Sequence, residues 1–246
     1  MTTPDDRTRL EIAGSGVATI TLAHPPLNIY DLQMRDELIE AFAAVRDHPD
    51  VRVVVLAADG RHFSAGADLK EFGTADGVMD ARSIRWERDP WTPLWELPQP
   101  TIVAFHGYAL GAGLEMALLC DIRIAADDTT VGLPETTLGM LPSAGGTQSL
   151  ARVIGPGPAM PVVMLGQRYD AEEAGAIGLV DQVVADADSA ARDLAERIAR
   201  ADPAAVRAAR RALRVAVDLP LADGLRRERL LAAGLRRDQN DVLDSS

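Results

Sequence analysis

The chain has 246 residues, of which 47% are hydrophobic and 25% charged, and its formal net charge is −12. This composition is typical of a globular protein, and the length suits one large domain around a single core. The negative charge excludes nucleic acid as a bulk partner, the lone Cys120 excludes an intramolecular disulfide, and the scattered histidines provide no zinc-finger spacing.

The first ten residues contain acidic side chains and no apolar run, so we expect neither a signal peptide nor a membrane anchor. The expected location is the reducing cytoplasm, with no membrane partner.

Residues 9–14 and 17–24 are short β-branched runs that predict a hairpin turning at Ser15–Gly16. Asp31 can cap a helix that ends before Pro49. Its apolar residues, at a 3.6-residue period, are Met34, Leu38, Phe42 and Val45.

Two continuous apolar runs, at residues 51–58 and 101–105, predict strands that are buried on both faces and paired in parallel. Each run is followed by a glycine-containing segment that leads toward a helix, at residues 59–72 and 106–113. The intervening residues 74–96 are charged and contain tryptophan without a clear period. They predict a loop with irregular helix, and we expect the wall of any ligand pocket to include them.

The second half of the chain becomes progressively more helical. Residues 122–126 predict another buried strand, and helices are expected at about 147–154 and 159–166. From residue 186 onward the pattern is helical throughout. We therefore divide the chain into an α/β region, 1–185, and a helical C-terminal region, 186–246.

The two glycine-rich turns, at residues 63–68 and 107–113, are candidates for binding one anionic oxygen. Small residues let the backbone approach a ligand closely, and the start of a helix presents unpaired N–H groups. Close packing between a strand and a helix is an equally good explanation of these residues. The sequence has no signature of a phosphate-binding loop, a serine hydrolase or a zinc hydrolase.

Two carboxylates lie in apolar surroundings near these turns. Glu115 is flanked by Leu114 and Met116, and Glu135 follows Leu133–Pro134. Beside a site for an anionic oxygen, two such groups suggest acid–base work at a carbon next to a carbonyl. In the alternative interpretation, Glu115 pairs with an arginine and Glu135 caps the next turn.

At these residues the sequence resembles the crotonase superfamily, also called the enoyl-CoA hydratase/isomerase superfamily. The similarity covers about residues 7–235 and includes Pro26–Asn28. The most specific matching segments are FSAGADLKE (63–71), HGYALGAGLEMALLCD (106–121) and LPETTLGMLPSAGGTQ (133–148). The resemblance implies an α/β, crotonase-like spiral of ββα units with a helical C-terminal part that mediates trimerisation.

The resemblance also implies an activity, that of an enoyl-CoA hydratase adding water to a trans-2-enoyl-CoA to give a 3-hydroxyacyl-CoA. The backbone N–H groups of Ala67 and Ala112 match those that hold the thioester oxygen as it becomes an enolate. Glu115 matches the base that activates water, and Glu135 matches the acid that protonates the α-carbon. The alternatives are an enoyl-CoA isomerase that uses Glu135 alone and a crotonase-fold protein that binds acyl-CoA without turnover.

The implied partners are an acyl-CoA thioester and further copies of the chain, in a homotrimer or a dimer of trimers. No metal or other cofactor is implied, because coenzyme A is part of the substrate. Relative to the family, the 186–246 region lacks the usual last helix. The implied substrate-binding residues are Leu27, Ala65, Ala67, Asp68, Leu69, Lys70, Leu110, Gly111, Ala112, Pro134 and Leu138.

Two further sets of side chains have open interpretations. Four arginines follow one side of a predicted helix and are expected to face solvent or another subunit in preference to a phosphate; they are Arg207, Arg210, Arg211 and Arg214. The three tryptophans could line an acyl pocket or simply pack in the core; they are Trp86, Trp91 and Trp95.

Overall fold

The computed structural model describes residues 6–71, 76–79 and 88–244, with the side chains of the last helix described as far as residue 235. The strands, in chain order, are β1 (Thr8–Ile12), β2 (Val17–Leu22), β3 (Val53–Ala58), β4 (Thr101–Phe105), β5 (Tyr108–Leu110), β6 (Ile122–Ala126), β7 (Thr130–Gly132), β8 (Arg168–Asp170) and β9 (Gln182–Val184). The α-helices are α1 (Leu32–Asp47), α2 (Trp91–Glu96), α3 (Ala112–Leu119), α4 (Gly146–Ile154), α5 (Pro156–Met164), α6 (Ala171–Ala176), α7 (Ala187–Ala199), α8 (Pro203–Arg214) and α9 (Leu221–Asp244).

The strands form two sheets. The larger has the order β1-β2-β3-β4-β6-β9, and only its β1–β2 pair is antiparallel. All residues of β3 and β4 are buried, because helices or loops cover both faces of these central strands. The smaller sheet has the order β5-β7-β8, with β5 and β7 parallel.

Successive units of the chain repeat one path. A strand of the larger sheet is followed by a short strand of the smaller sheet and then by a helix, as in β4, β5 and α3. The next unit repeats this with β6, β7 and a 3-10 helix at Pro134–Leu138. This is the α/β spiral of ββα units that the resemblance implied.

Helices cover the two faces of the larger sheet. On one face, α1 begins where the Asp31 side chain accepts a hydrogen bond from Met34 N at 2.8 Å. On the other face, α7 lies against β2, β3, β4 and β6 through small side chains at four-residue spacing, which allow a close approach. These buried side chains are Ala187, Ala191, Ala195 and Ala199.

Most predicted elements are confirmed, and the differences are local. The hairpin, α1, β3, β4, β6 and the helical C-terminal region form as expected. Within residues 59–71 the described helix is a three-residue 3-10 helix at Leu69–Glu71, and the second glycine-rich turn contains the unpredicted strand β5. Of the 74–96 segment, residues 74, 75 and 80–87 lie outside the described residues, and so does the prediction for Trp86. The division at residue 185 stays a prediction.

The expectation that the α8 arginines face solvent or another subunit is wrong for part of the set. Arg210 Nε and Arg214 Nε donate to the two carboxylate oxygens of Asp121, at 2.6 and 2.9 Å. Arg210 also donates to the carbonyl of Leu97 and is only 9% exposed. The ion pairs fix α8 against the end of α3, since Asp121 lies two residues beyond the last residue of that helix.

These hydrogen bonds to Asp121 predict that two neighbouring arginines contribute differently to the stability of the protein. Arg210→Ala leaves the Asp121 carboxylate short of a buried partner, so we expect the free energy of unfolding in urea to fall by about 3 kcal/mol. Arg211→Ala is the control because Arg211 is exposed, and we expect a change within about 0.5 kcal/mol. Equal effects of the two changes would contradict this account of how α8 is held.

Candidate active site

The two glycine-rich turns lie side by side because their backbones pair in parallel. Phe63 N donates to His106 O and Ser64 N donates to Tyr108 O, each at 2.9 Å. Leu110 N then donates back to Ser64 O at 3.0 Å. The end of the first turn therefore meets the start of α3, as the sequence analysis required.

Both candidate oxygen-binding N–H groups are available at this junction. Neither Ala67 N nor Ala112 N donates a hydrogen bond to any other described residue. The turns are in close contact, since a Cβ built on Gly66 would lie 3.1 Å from Leu110 O and 3.7 Å from Ala112 N. Ala112 is the first residue of α3, where an N–H has no partner within the helix.

Small residues make this contact possible. A Cβ on Gly113 would lie 2.7 Å from the Cβ of Ser64, so only glycine lets α3 approach the first turn this closely. Gly111 has a φ of +52°, a backbone conformation that side chains with a Cβ rarely adopt.

Glu115 is buried on α3, 3% exposed, and its carboxylate is held by backbone groups. Oε1 accepts hydrogen bonds from Ala144 N at 2.9 Å and Gly146 N at 2.8 Å. Gly146 begins α4, so the carboxylate connects α3 to the start of the next helix. A Cβ on Gly146 would lie 2.8 Å from this oxygen, which explains the glycine at that position.

Glu135 lies on the other side of the second turn. A Cβ on Gly111 would lie 2.8 Å from Glu135 Oε1, so this carboxyl group is against the start of α3. Its Oε2 is buried and has no hydrogen-bond partner within the described part of the chain. Burial raises the pKa of Glu135 above its ordinary value, which favours the protonated acid.

The other predicted substrate-binding residues lie beside the first turn, just before α3, and in the 3-10 helix that carries Glu135. Ala65 N donates to Leu27 O at 2.9 Å, which places these two residues together beside the first turn. Asp68 Oδ1 accepts from Lys70 N at 2.9 Å, and the side chains of Leu69 and Lys70 are exposed. Leu110 and Gly111 precede α3, while Pro134 and Leu138 are the two ends of the 3-10 helix that carries Glu135.

The sequence analysis missed two buried side chains that shape the site. Asn28 donates through Nδ2 to the carbonyls of Asp59 and His62 at 2.9 and 2.7 Å, and so fixes the loop that precedes the first turn. Tyr30 pairs with the turn itself, since its N donates to Gly66 O and its O accepts from Asp68 N. The available signal was the Pro26–Asn28 match, which ends at Asn28 and lies two residues before Tyr30.

Within residues 6–71, 76–79 and 88–244, no group of three or more His, Cys, Asp or Glu side chains is arranged to hold a metal ion. None of the described helices has the combination of length and hydrophobicity that crossing a membrane requires.

Comparison with known proteins places this geometry in one family. A family model described as enoyl-CoA hydratase/isomerase matches residues 13–239. The chain is 38% identical over 230 residues to a probable enoyl-CoA hydratase, echA8, of Mycobacterium bovis, which covers 92% of this chain and 89% of the relative. It is 39% identical over 229 residues to the (E)-benzylidenesuccinyl-CoA hydratase of Thauera aromatica, with the same coverage.

Solved structures give the same result for the fold. The crystal structure of an enoyl-CoA hydratase from Bacillus anthracis superposes with a TM-score of 0.88 at 35% sequence identity. The match covers 97% of this chain and 95% of that one. The crotonase-like fold expected from the sequence is therefore confirmed.

The contact between Gly111 and Glu135 predicts that a methyl group at position 111 lowers the stability of the protein. Gly111→Ala must both strain the backbone and displace the Glu135 carboxyl group, so we expect it to lower the free energy of unfolding by about 1–3 kcal/mol more than Gly139→Ala. Gly139 is the matched control because its φ is +73° and a Cβ there would meet nothing within 4 Å. Equal losses in urea unfolding would contradict the close contact.

Proposed function

The chain belongs to the enoyl-CoA hydratase/isomerase family, and from this we propose that it hydrates trans-2-enoyl-CoA thioesters to 3-hydroxyacyl-CoA thioesters. The observation that carries the proposal is the presence of two carboxyl groups in different environments near two backbone N–H groups that have no partner in the described part of the chain. Glu115 accepts hydrogen bonds from two backbone N–H groups, whereas Glu135 is partly buried and its enclosed Oε2 has no partner among the described residues.

In the proposed reaction, the N–H groups of Ala67 and Ala112 bind the thioester oxygen and polarise the conjugated double bond. Glu115 takes a proton from water, and the water oxygen forms a bond to the β-carbon. The electrons of the double bond move to the thioester oxygen, giving an enolate that the two N–H groups stabilise. One such donor contributes about 3 kcal/mol to transition-state stability.

Glu135 completes the addition. Its carboxyl group donates a proton to the α-carbon as the enolate returns to the thioester, and the raised pKa keeps that group protonated at higher pH. The proton taken up by Glu115 returns to Glu135 by way of solvent before the next turnover. The balance is one water added across the double bond, and we propose that no cofactor takes part.

The alternatives differ in which carboxyl group they need. An isomerase would move a proton with Glu135 alone, and a binding protein would need neither group. The presence of Glu115 on the helix that begins at Ala112 favours hydration, because the addition of water needs a base as well as an acid. The homotrimer or dimer of trimers, and the cytoplasmic location, stay predictions.

Substitution of the two glutamates tests the proposal. We expect Glu115→Gln and Glu135→Gln each to lower the rate of hydration at least about 100-fold, measured as loss of the conjugated-thioester absorbance of 2-enoyl-CoAs. The exposed Glu172→Gln is the control and should leave the rate unchanged.

Isomerisation of a 3-enoyl-CoA is measured on the same proteins. Hydration that survives Glu115→Gln would contradict the two-carboxylate mechanism. Isomerisation that needs only Glu135, in a protein without hydratase activity, would identify an isomerase, and no turnover of any thioester would identify a binding protein.

The raised pKa of Glu135 predicts the direction of the pH dependence. Because Glu135 must be protonated to act as the acid, kcat/KM is expected to be highest below its pKa and to fall as the pH rises through it. In Glu135→Gln the residual activity should lack this alkaline decrease. If kcat/KM falls over the same pH range in both proteins, the decrease belongs to a group other than Glu135.

A further inference from the structure

One buried polar group near the proposed reaction centre has no role in that mechanism. Tyr30 is 2% exposed, and its hydroxyl oxygen has no hydrogen-bond partner in the described part of the chain. A buried hydroxyl without a partner is unfavourable for folding, whereas phenylalanine would fill the same volume without that cost. The hydroxyl therefore calls for an explanation other than packing.

The backbone of Tyr30 is attached to the oxygen-binding turn. Tyr30 N donates to Gly66 O at 2.9 Å, and Tyr30 O accepts from Asp68 N at 3.1 Å, so Ala67 lies between the two hydrogen bonds. Its ring packs on Trp91 of α2 with a centroid distance of 5.0 Å. Tyr30 thus lies between the proposed thioester site and α2.

The charged groups and the packing around the phenol indicate its protonation state and the side of the site on which it lies. Burial raises the pKa of Tyr30 well above its ordinary value, Arg35 opposes the rise, and the carboxylates of Asp89, Glu115 and Glu71 add to it. The phenol is therefore neutral and able to donate. The ring packs on Trp91 of α2, and α2 lies against α3, the helix that carries Glu115, so the phenol lies on the Glu115 side of the site.

This placement relates the hydroxyl to the acyl chain. In the proposed mechanism the thioester oxygen binds at Ala67 and the β-carbon lies near Glu115. A phenol on the Glu115 side therefore faces the acyl chain at the β-carbon or beyond it. Arg35 lies over the ring at 4.9 Å, and the other three charged groups that act on the phenol are carboxylates, which disfavours a further negative charge. Like Glu135 Oε2, the phenol oxygen is enclosed, and the entering thioester must displace the side chains that cover both atoms.

We propose that Tyr30 is a specificity-determining residue whose hydroxyl donates a hydrogen bond to a neutral oxygen on the acyl group. The preferred substrates are then 2-enoyl-CoA thioesters that carry a hydroxyl or carbonyl group beyond the β-carbon, in preference to plain alkyl or carboxylate-bearing chains. This inference rests on the proposed hydratase function and names its substrate class.

The test uses one set of six-carbon thioesters with the wild type and Tyr30→Phe. The set contains trans-hex-2-enoyl-CoA, its 4-, 5- and 6-hydroxy derivatives, and 2,3-dehydroadipyl-CoA, whose chain ends in a carboxylate. We expect the wild type to prefer one hydroxy derivative, and Tyr30→Phe to lower kcat/KM for that substrate about tenfold. Hydration of the plain thioester should be unchanged.

Tyr169→Phe is the matched control, because it removes a phenol hydroxyl from a partly exposed ring in β8, which the candidate site does not include. It should leave the substrate preference unchanged. Urea unfolding of Tyr30→Phe should show a variant at least as stable as the wild type, since the change removes an unpartnered hydroxyl.

Three results would overturn the inference while leaving the proposed function intact. They are equal effects of Tyr30→Phe on all thioesters, no effect on any of them, and a wild-type preference for the plain or carboxylate-bearing chain. Absence of hydration of every thioester by the wild type would overturn the proposed function, and the inference with it.

Discussion

A short stretch of parallel main-chain hydrogen bonding, between residues 63–64 and 106–110, is the interaction on which the candidate site depends. It brings together two turns that are more than 40 residues apart in the sequence and places Gly66, the neighbour of Ala67, against the start of α3. Because backbone atoms make this contact, side-chain identity matters mainly through size. Gly66, Gly111 and Gly113 are therefore as important to the site as any charged residue.

The two carboxyl groups near this junction have different surroundings, which favour different protonation states. Glu115 is buried but receives backbone N–H groups from the loop that starts α4, and this stabilises a charged oxygen inside the protein. Glu135 is only partly buried, yet within the described residues one of its oxygens has no donor, and burial favours its neutral form. Two residues of the same type thus acquire opposite tendencies from their surroundings, as an acid and a base require.

Elements with a strong local signal could be predicted from the sequence. The apolar runs of β3 and β4 indicate strands buried on both faces, and Asp31 with its periodic apolar residues indicates α1. The three-residue β5 is too short for any periodicity, and the burial of Arg210 depends on Asp121, 89 positions away. The turns and glutamates could be found by resemblance, whereas the unpartnered hydroxyl of Tyr30 emerges only from packing in three dimensions.

Lys70 is the only lysine of the chain, and its side chain is exposed in the 3-10 helix that follows the first glycine-rich turn. No other side chain therefore offers a primary amine, so an amine-directed fluorophore or cross-linker would attach to the protein's side chains at a single position, three residues from Ala67. A protein of 25 basic residues thereby has a selective site for labelling beside its candidate active site, without an engineered cysteine.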